Sequence, residues 1–597
     1  MSFQKHSCFG CGCLLCMITT QNGRTRIQKI PQWLFGVIPL VAAFIVWFGG
    51  IHSGFTPDDY MVIHVQSPIR SFIDVIGMFW RNDPNPQYWR PLTDSTVSFD
   101  FLLWGWNGGM FHFTNLLLHC AAVGLVYYFV RAIFSFSGFA SCMLAVLFGT
   151  SGSHDANLLW IAARSDVMAT IMMLIVLLTA YQAERTKQKK WLWLTLSYLG
   201  YFLALSSKEV SGVVIALLPL LIYTSSLKEL WQKKWPILTK LLPYLLLTVL
   251  FIAIRLQFTI PLSEMQPLNA EGSHSLAAFA KNFLYSIGYI IAPVDFRLAS
   301  FIINRYATIG YAAAILFFAG IFLLIKLSGG KNVLKVLYKP FVLILVTGLV
   351  SFQSFERWRV YFPSVGVLAV FIILFGLLWK REKGRVIIRP MLILLAVCFA
   401  GFHIRQSFES QNVWAQATAQ LKDLGDDMKN ILAVHKQRPV TLELITSPTK
   451  LGGAGMIQLS KSFFAKKAEA DLRNLPPFKD GVVSIPGDSI VFITDLDIYA
   501  LDPDNGFQSF VFRKTGEKEY EVFGDKDEIG LFPTVELSGG KARRDVKLLP
   551  GETFETYGTT VTIDEAEASF ASHVKLIIRD SSTVHLFFDG KRIRELE

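Results

Sequence analysis

The chain has 597 residues, of which 52% are hydrophobic and only 17% are charged. Its mean hydropathy of +0.41 is too high for a soluble globular protein. The formal charge of +11 does not indicate nucleic-acid binding, because the basic residues cluster in short loops between apolar segments. That clustering is typical of the cytoplasmic loops of membrane proteins.

Residues 1–31 precede the first apolar segment and are predicted to form a cytoplasmic N-terminal tail. The basic residues of the tail indicate that side of the membrane: Lys5, Arg24, Arg26 and Lys29. The tail also holds four closely spaced cysteines: Cys8, Cys11, Cys13 and Cys16. They are packed too tightly, and without a flanking fold, for an ordinary structural zinc site. Palmitoylation or a reduced, unstructured tail is the favoured interpretation.

Apolar runs between basic loops predict a transmembrane domain over residues 32–403, with about eleven spanning helices. The approximate spans are 32–50, 110–133, 138–151, 158–181, 191–207, 210–226, 237–257, 309–326, 340–355, 361–379 and 386–403. An odd number of spans places the C-terminal part on the extracytoplasmic, or periplasmic, side of a plasma or inner membrane. The short apolar segment 281–295 is interrupted by Pro293. It is interpreted as re-entrant or interfacial.

Residues 404–597 are predicted to form a separate extracytoplasmic soluble domain. Residues 404–436 have the apolar spacing of an amphipathic helix, and strand-like runs separated by turn residues follow. The predicted fold is therefore a mainly α polytopic membrane protein, followed by a small α/β, β-rich soluble domain.

The first loop, roughly 51–109, is long and contains the acidic pair Asp58-Asp59, followed by Tyr60. Carboxylates at a membrane face are costly to hold there, so they are functional candidates. The pair could equally cap a helix after Thr56-Pro57, because acidic side chains are favoured in a first turn.

The second predicted span carries His112, Asn115 and His119 at offsets that place all three on one helix face. A metal site is one interpretation, but that helix offers no plausible carboxylate ligand. Buried hydrogen bonding is favoured, and no metal is predicted.

The first loop also contains Arg90, and Arg164 and Asp166 lie within the otherwise apolar span 158–181. Further polar residues stand near the ends of later spans: His154, Lys208, Glu209, Arg357, Arg359 and Tyr361. The predicted topology places the acidic pair, His154, Lys208 and the two late arginines on one side of the membrane. Cations can hold a phosphate leaving group, and a carboxylate can act as a general base toward a hydroxyl. Arg164 and Asp166 could instead pair with other helices as structural groups.

Six motifs occur in order along residues 55–414: Asp58-Asp59-Tyr60, Trp89-Arg90-Pro91-Leu92, His112-x2-Asn115-x3-His119, Trp160-x3-Arg164-Ser-Asp166, Ser207-Lys208-Glu209 and Tyr361-x2-Ser364-x-Gly366. In these motifs the chain resembles the GT-C class of membrane glycosyltransferases, and most of all its protein O-mannosyltransferase-like group. Members of that group often carry tetratricopeptide repeats, whose pattern is absent here. The group's H-P-x-H-x-E stretch is replaced by Ser151 to Ala156, which keeps only the second histidine, His154.

The resemblance implies a polyprenyl-phosphate monosaccharide donor, a hydroxyl acceptor on a protein or glycan, and inversion at the anomeric carbon. It implies that Asp58 or Asp59 is the base, and that His154, Lys208 and Arg357 or Arg359 bind the phosphate. Supporting roles fall to Arg90, His112, His119, Arg164, Asp166, Glu209 and Tyr361. No cofactor is expected beyond the lipid-linked donor itself.

Two other functions are compatible with the sequence. One is a transporter or flippase of lipid-linked saccharide, although no inverted repeat and no paired broken helices were found. The other is a catalytically inactive assembly scaffold, which the missing glutamate and the unusual C-terminal part would explain.

Overall fold

The described part of the chain covers most of the predicted spans. The computed structural model describes residues 31, 33–56, 59, 62–63, 69–80, 88–224, 227–259, 275–293, 303–327, 331–352, 355–379 and 385–434, and, from 441 to 595, the strands given below with a few turn residues. The N-terminal cysteines, Asp58 and Tyr60 lie outside the described residues.

The described residues before 435 are mainly helical. The α-helices are α1 Leu34–Trp47, α2 Phe72–Gly77, α3 Pro91–Trp104, α4 Gly108–Ala132, α5 Gly138–Gly149, α6 Asp155–Leu159, α7 Arg164–Arg185, α8 Lys190–Ser207, α9 Val214–Leu217, α10 Leu227–Gln232, α11 Lys234–Phe258, α12 Leu276–Ile291, α13 Ile303–Leu327, α14 Lys331–Ser351, α15 Pro363–Trp379 and α16 Arg385–Val434. Short 3₁₀-helices adjoin them at Phe48–His52, Gly152–His154, Ile161–Ala163, Glu209–Val213 and Arg357–Val360, and a π-helix covers Leu218–Tyr223.

Several helix starts are set by local sequence. Asn107 and Ser137 precede α4 and α5, and their side chains accept hydrogen bonds from backbone N–H groups of the first turn. Pro91 and Pro363 occupy the first positions of α3 and α15, where proline loses no helical hydrogen bond. These signals place the helix starts close to where the sequence predicts them.

Six described helical segments are long and apolar enough to cross a membrane, and further apolar helices are shorter. The predicted spans coincide with described helices, but the number that cross the bilayer stays a prediction. Segment 281–295 overlaps α12, whose inner face contributes Ile287 and Ile290 to a buried apolar cluster.

Helix α7 is the most enclosed of the candidate spans. Of its apolar window 72% is buried, against 17% for α11. Residues such as Leu174 of α7 pack in one cluster with Val126 of α4, Phe148 of α5 and Leu368 of α15. Helix α7 therefore stands at the centre of the bundle, while α11 exposes apolar side chains such as Leu246 as a lipid-facing helix does.

Helix α16 passes through the predicted boundary at residue 404 without a break. The last span and the predicted amphipathic helix form one helix of 50 residues. After residue 403, its polar side chains bond to α1 and to the chain that follows α1. Gln411 Nε2 donates to Val46 O at 2.9 Å, and Thr418 Oγ1 accepts from Gly54 N at 2.8 Å.

The described residues after 440 form strands. They are β1 Thr441–Leu444, β2 Lys450–Leu451, β3 Ile457–Gln458, β4 Val482–Ile485, β5 Ser489–Phe492, β6 Leu496–Ala500, β7 Phe510–Lys514, β8 Glu519–Gly524, β9 Ile529–Pro533, β10 Thr553–Glu555, β11 Thr559–Glu567, β12 Phe570–Ile578, β13 Thr583–Phe588 and β14 Ile593–Glu595. One sheet has the order β10-β11-β12-β8-β7, with β9 pairing β12 and β6, and another has the order β1-β13-β14. A separate soluble domain stays a prediction.

A buried ion pair joins α7 to two neighbouring helices. The Arg164 guanidinium contacts Asp100 Oδ2 of α3 at 2.6 Å, and both side chains are almost completely buried. Arg164 also donates to Asn115 Oδ1 at 2.6 Å and to Phe111 O at 3.1 Å, both in α4. Thr114 Oγ1 donates to Asp100 Oδ1 at 2.8 Å. This geometry supports the structural alternative for Arg164.

Replacing Arg164 by methionine is expected to destabilise the protein strongly. The change leaves the Asp100 carboxylate buried without its cation, which typically costs about 3–5 kcal/mol. Thermal unfolding of the purified full chain in detergent measures the loss. The control is Arg405→Met, because Arg405 forms an exposed pair with Glu409 and such pairs contribute at most about 1 kcal/mol. Equal melting temperatures for the two variants would contradict the assignment.

Candidate active site

Asp59 fastens the first loop to the start of α7. Its side chain is fully buried. Oδ2 accepts the N–H of Thr56 at 2.8 Å, and Oδ1 accepts the N–H of Ala162 at 2.9 Å. The Asp59 N–H in turn donates to Thr56 O at 3.1 Å. Both oxygens of this carboxylate therefore accept hydrogen bonds from backbone N–H groups, as the capping alternative predicts.

Lys208 and Asp166 form an ion pair at the same end of α7. Lys208 Nζ lies 2.5 Å from Asp166 Oδ2, and both side chains are mostly buried. Burial lowers the pKa of Lys208, Asp166 raises it, and Arg90 and Arg359 lower it further, so the net shift is downward. The two arginines are therefore close enough to repel the ammonium group.

Glu209 bridges two arginines from distant parts of the chain. Its Oε2 accepts from Arg90 Nη2 at 2.9 Å, and its Oε1 lies 3.2 Å from Arg255 Nη1 in the last turn of α11. The Arg90 guanidinium also stacks over the ring of Tyr88 at 4.3 Å. Burial lowers the pKa of Arg90, but the Glu209 and Asp166 carboxylates outweigh it and the pKa is raised. Arg255 was missed by the sequence analysis, although a lone cation closing an apolar span is a recognisable signal.

A small cleft beside the Lys208–Asp166 pair has a cavity volume of about 20 Å³. Its charged lining residues are Asp166 and Arg359, and Arg359 Nε lies 2.6 Å from Glu356 Oε2. The rest of the wall is mainly apolar, with a few hydroxyl groups: Ala169, Thr170, Met173, Val210, Val213, Thr347, Ser351, Tyr361, Phe362 and Pro363. An apolar wall with charge at one edge suits an amphiphilic ligand.

The structure separates the two arginine candidates. Arg359 lines the cleft, whereas Arg357 contacts Asp155 Oδ2 at 3.3 Å. Tyr289 OH donates to the other Asp155 oxygen at 3.3 Å. Burial raises the pKa of Asp155, Arg357 lowers it, and the net shift is upward. Residues two apart in a 3₁₀-helix point in different directions, and here the two arginines contact different groups.

His154 lies in the protein interior and is fully buried. Ser364 Oγ donates to Tyr361 O at 2.7 Å and accepts from His154 Nε2 at 3.0 Å. Burial lowers the pKa of His154, and the neighbouring His119 and His403 lower it further. A phosphate-binding role for His154 stays a prediction.

The polar face of α4 is satisfied by hydrogen bonds. His112 Nε2 donates to Gly54 O at 3.0 Å, and His119 Nε2 donates to Gly149 O at 2.9 Å. His119 Nδ1 accepts from Tyr361 OH at 2.6 Å. This confirms the prediction of buried hydrogen bonding. Within the described residues, no three His, Cys, Asp or Glu side chains are grouped so that they could hold a metal ion.

The N-terminal end of α7 brings the separate parts of the site together. Asp59 accepts a hydrogen bond from Ala162 in the 3₁₀-helix directly before α7, and Lys208 contacts Asp166 in the first turn of α7. Arg90 adjoins them through Glu209, the residue after Lys208. The acidic turn of the first loop, which holds Asp59, and the cation cluster of Lys208 and Arg90 therefore both lie at the N-terminal end of α7.

Comparison with known proteins gives two distant relatives, and no family model matches the chain. Protein O-mannosyl-transferase Tmtc2 of Drosophila melanogaster is 25% identical over 185 residues, covering 28% of this chain and 19% of the relative. Protein O-mannosyl-transferase Tmtc1 of the same organism is 22% identical over 183 residues, covering 29% and 21%. The chain thus spans about a fifth of the length of these relatives. Their names confirm the resemblance drawn from the motifs.

Two solved membrane proteins are loosely similar in structure. ArnT from Cupriavidus metallidurans bound to undecaprenyl phosphate has a TM-score of 0.40 at 14% identity, covering 72% of this chain and 84% of ArnT. The oligosaccharyltransferase AglB from Archaeoglobus fulgidus, in complex with an inhibitory peptide and a dolichol-phosphate, has a TM-score of 0.42 at 11% identity, covering 75% and 64%. Likeness at this level does not identify a function.

Replacing Asp59 by asparagine is expected to lower the thermal stability of the protein. An amide has only one acceptor oxygen, so its NH2 group would face a backbone N–H and leave that group unsatisfied, a loss of about 1–3 kcal/mol. Thermal unfolding of the purified chain measures this change. Asp58→Asn serves as the comparison, since it keeps both Asp59 hydrogen bonds. Unchanged stability in Asp59→Asn would show that the described contacts contribute little.

Proposed function

We propose that this protein is a GT-C glycosyltransferase. It moves a monosaccharide from a polyprenyl-phosphate donor to a hydroxyl acceptor on the extracytoplasmic face. One observation carries the proposal: the acidic turn of the first loop and the cation cluster are anchored to the same end of α7. The names of the two relatives, both protein O-mannosyl-transferases, support sugar transfer to a protein hydroxyl.

Asp58 is the proposed general base, and Asp59 is the proposed holder of the turn. Because both Asp59 oxygens accept backbone N–H groups, proton transfer is assigned to its neighbour. The Asp58 carboxylate takes the proton of the acceptor hydroxyl while that oxygen attacks the anomeric carbon. The bond from this carbon to the phosphate oxygen breaks in the same displacement, so the configuration inverts.

The departing lipid phosphate gains one negative charge as this bond breaks. Arg359 and Lys208 are the proposed groups that stabilise it, and Arg90 adds to the local positive field. Fixed cations favour the transition state because the charge develops there. Both cations already face carboxylates, Glu356 and Asp166. Donor binding therefore exchanges or shares these partners rather than neutralising isolated charges.

The polyprenyl chain is proposed to lie along the apolar wall of the cleft, beside Val210, Val213 and Met173. This position leaves the phosphate at the charged edge, near Asp166 and Arg359. His154 and Arg357, which the sequence analysis included among the phosphate ligands, are not part of this set. Arg164 is assigned a structural role, because it is fully buried in its pair with Asp100.

Replacing Asp58 by asparagine is expected to abolish sugar transfer, since an amide cannot accept the hydroxyl proton. General bases typically contribute about 10²–10⁴-fold to the rate. The assay incubates purified protein with polyprenyl-phosphate sugars and measures both release of lipid phosphate and label on a protein acceptor. The control is Asp74→Asn, the same substitution in the same loop, at a residue that caps α2. Full activity in Asp58→Asn would remove Asp58 from the reaction. Lipid movement without bond cleavage in the wild type would favour a transporter instead.

Affinity for polyprenyl phosphate is expected to fall as pH rises, and to begin falling below the usual lysine pKa of 10.5, because burial lowers the pKa of Lys208. Binding needs the charged form, so it weakens as Lys208 loses its proton. Affinity is measured between about pH 8, where a phosphate monoester is already doubly charged, and about pH 10. Lys208→Arg should flatten the curve, since a guanidinium stays charged there. Parallel curves for wild type and variant would contradict the assignment.

A further inference from the structure

The 3₁₀-helix Arg357–Val360 places Arg359 at the cleft. On its other side it is held by contacts with residues 155–160, which form a grip on the 3₁₀-helix. We propose that Asp155 is a positioning residue of the donor site: through Arg357 it fixes this 3₁₀-helix so that Arg359 faces the lipid phosphate. The inference rests on the proposed function in its reference to the donor. The grip itself is independent of that function.

Contacts from three residues of the 155–160 segment form the grip. Asp155 Oδ2 lies 3.3 Å from Arg357 Nη1. Asn157 Nδ2 donates to Trp358 O at 3.0 Å. The ring of Trp160 meets the ring of Trp358 edge to face, with centroids 4.6 Å apart. One ion pair, one hydrogen bond and one aromatic contact thus act on two successive residues of the 3₁₀-helix.

Burial makes this grip specific. Asp155 is completely buried, and its second oxygen accepts from Tyr289 OH at 3.3 Å. The carboxylate is therefore held from α12 as well as by Arg357. A buried carboxylate that lost its cation would be strongly disfavoured. Arg357 is thereby held against α6, and Arg359 is directed away from it, into the cleft wall.

The position of this acid is informative. Where the resemblance leads one to expect a glutamate, the chain has Ala156, and the acid stands one residue earlier, at Asp155. One residue along an α-helix turns a side chain by about 100°. The acid consequently faces the 3₁₀-helix and not the direction that a side chain at 156 takes. Asp155 is buried and contacts Arg357 and Tyr289, so its effect on the cleft would pass through Arg357.

The experiment uses the full-length protein with four variants: Asp155→Asn, Asn157→Ala, Arg357→Met and the double variant Asp155→Asn/Arg357→Met. The matched control is Glu184→Gln, which neutralises the Glu184–Lys240 pair at the far end of α7. Two measurements are made on each. Hydrogen exchange of peptides spanning 355–365 reports the grip, and thermal protection by undecaprenyl phosphate reports the donor site.

Asp155→Asn and Asn157→Ala are expected to speed exchange across 355–365 and to raise the apparent Kd for undecaprenyl phosphate by about tenfold, within the usual range of coupling energies. The double variant should be no weaker in lipid binding than either single variant, because both remove the same contact. Transfer assays should show a raised donor KM with kcat retained at saturating donor, whereas loss of a reacting group would lower kcat.

Unchanged exchange at 355–365 in both Asp155→Asn and Asn157→Ala would overturn the inference, whatever the function of the protein. Faster exchange with unaltered lipid protection would also overturn it, because the 3₁₀-helix would then not position a donor ligand. Failure of wild-type protein to bind any polyprenyl phosphate is a different result. It would refute the proposed function, and also the donor-positioning role that rests on it. If Asp155→Asn does not fold, Asn157→Ala carries the same test.

Discussion

The architecture depends on one constraint, that a charge removed from water must be paired. In this chain the pairs converge on the start of α7. Arg164 is neutralised by Asp100, Asp166 by Lys208, and Asp59 receives the backbone N–H of Ala162. Each contact joins α7 to an element far away in sequence. The cost of a solitary charge in a low-dielectric interior therefore selects which helix ends meet.

Hydropathy was sufficient to predict where most of the described membrane-domain helices lie, because helix placement follows from transfer of side chains between water and lipid. The side of the membrane on which each loop lies stays a prediction. The satisfied face of α4 was also predictable from spacing. Partners were not. Nothing local in the sequence shows that Glu209 lies between Arg90 and Arg255, since those contacts are set by tertiary packing. For the same reason nothing local in the sequence shows that His154 lies beside Tyr361 and Ser364, which are distant in sequence.

Arg357 and Arg359 show where sequence reasoning could have gone further. Two residues separated by one position cannot share a face of any tight helix. In the 3₁₀-helix that precedes Pro363, one arginine therefore points away from the cleft. Only the structure shows which one, because the choice depends on Asp155 standing opposite Arg357. Arg359 thus lines the cleft, and the Arg357–Asp155 contact supports the 3₁₀-helix on its other side.

The unbroken helix α16 has a mechanical consequence. Residues 404–434 extend for about 45 Å at the usual helical rise, and their first turns are fastened to the outer face through Gln411 and Thr418. A rod clamped at its base transmits torque and tilt from one end to the other. A load attached beyond Val434 would bend the connections at Val46 and Gly54, which flank the entry to the acidic turn. A tilt of this helix would therefore act directly on α1 and on the start of the first loop.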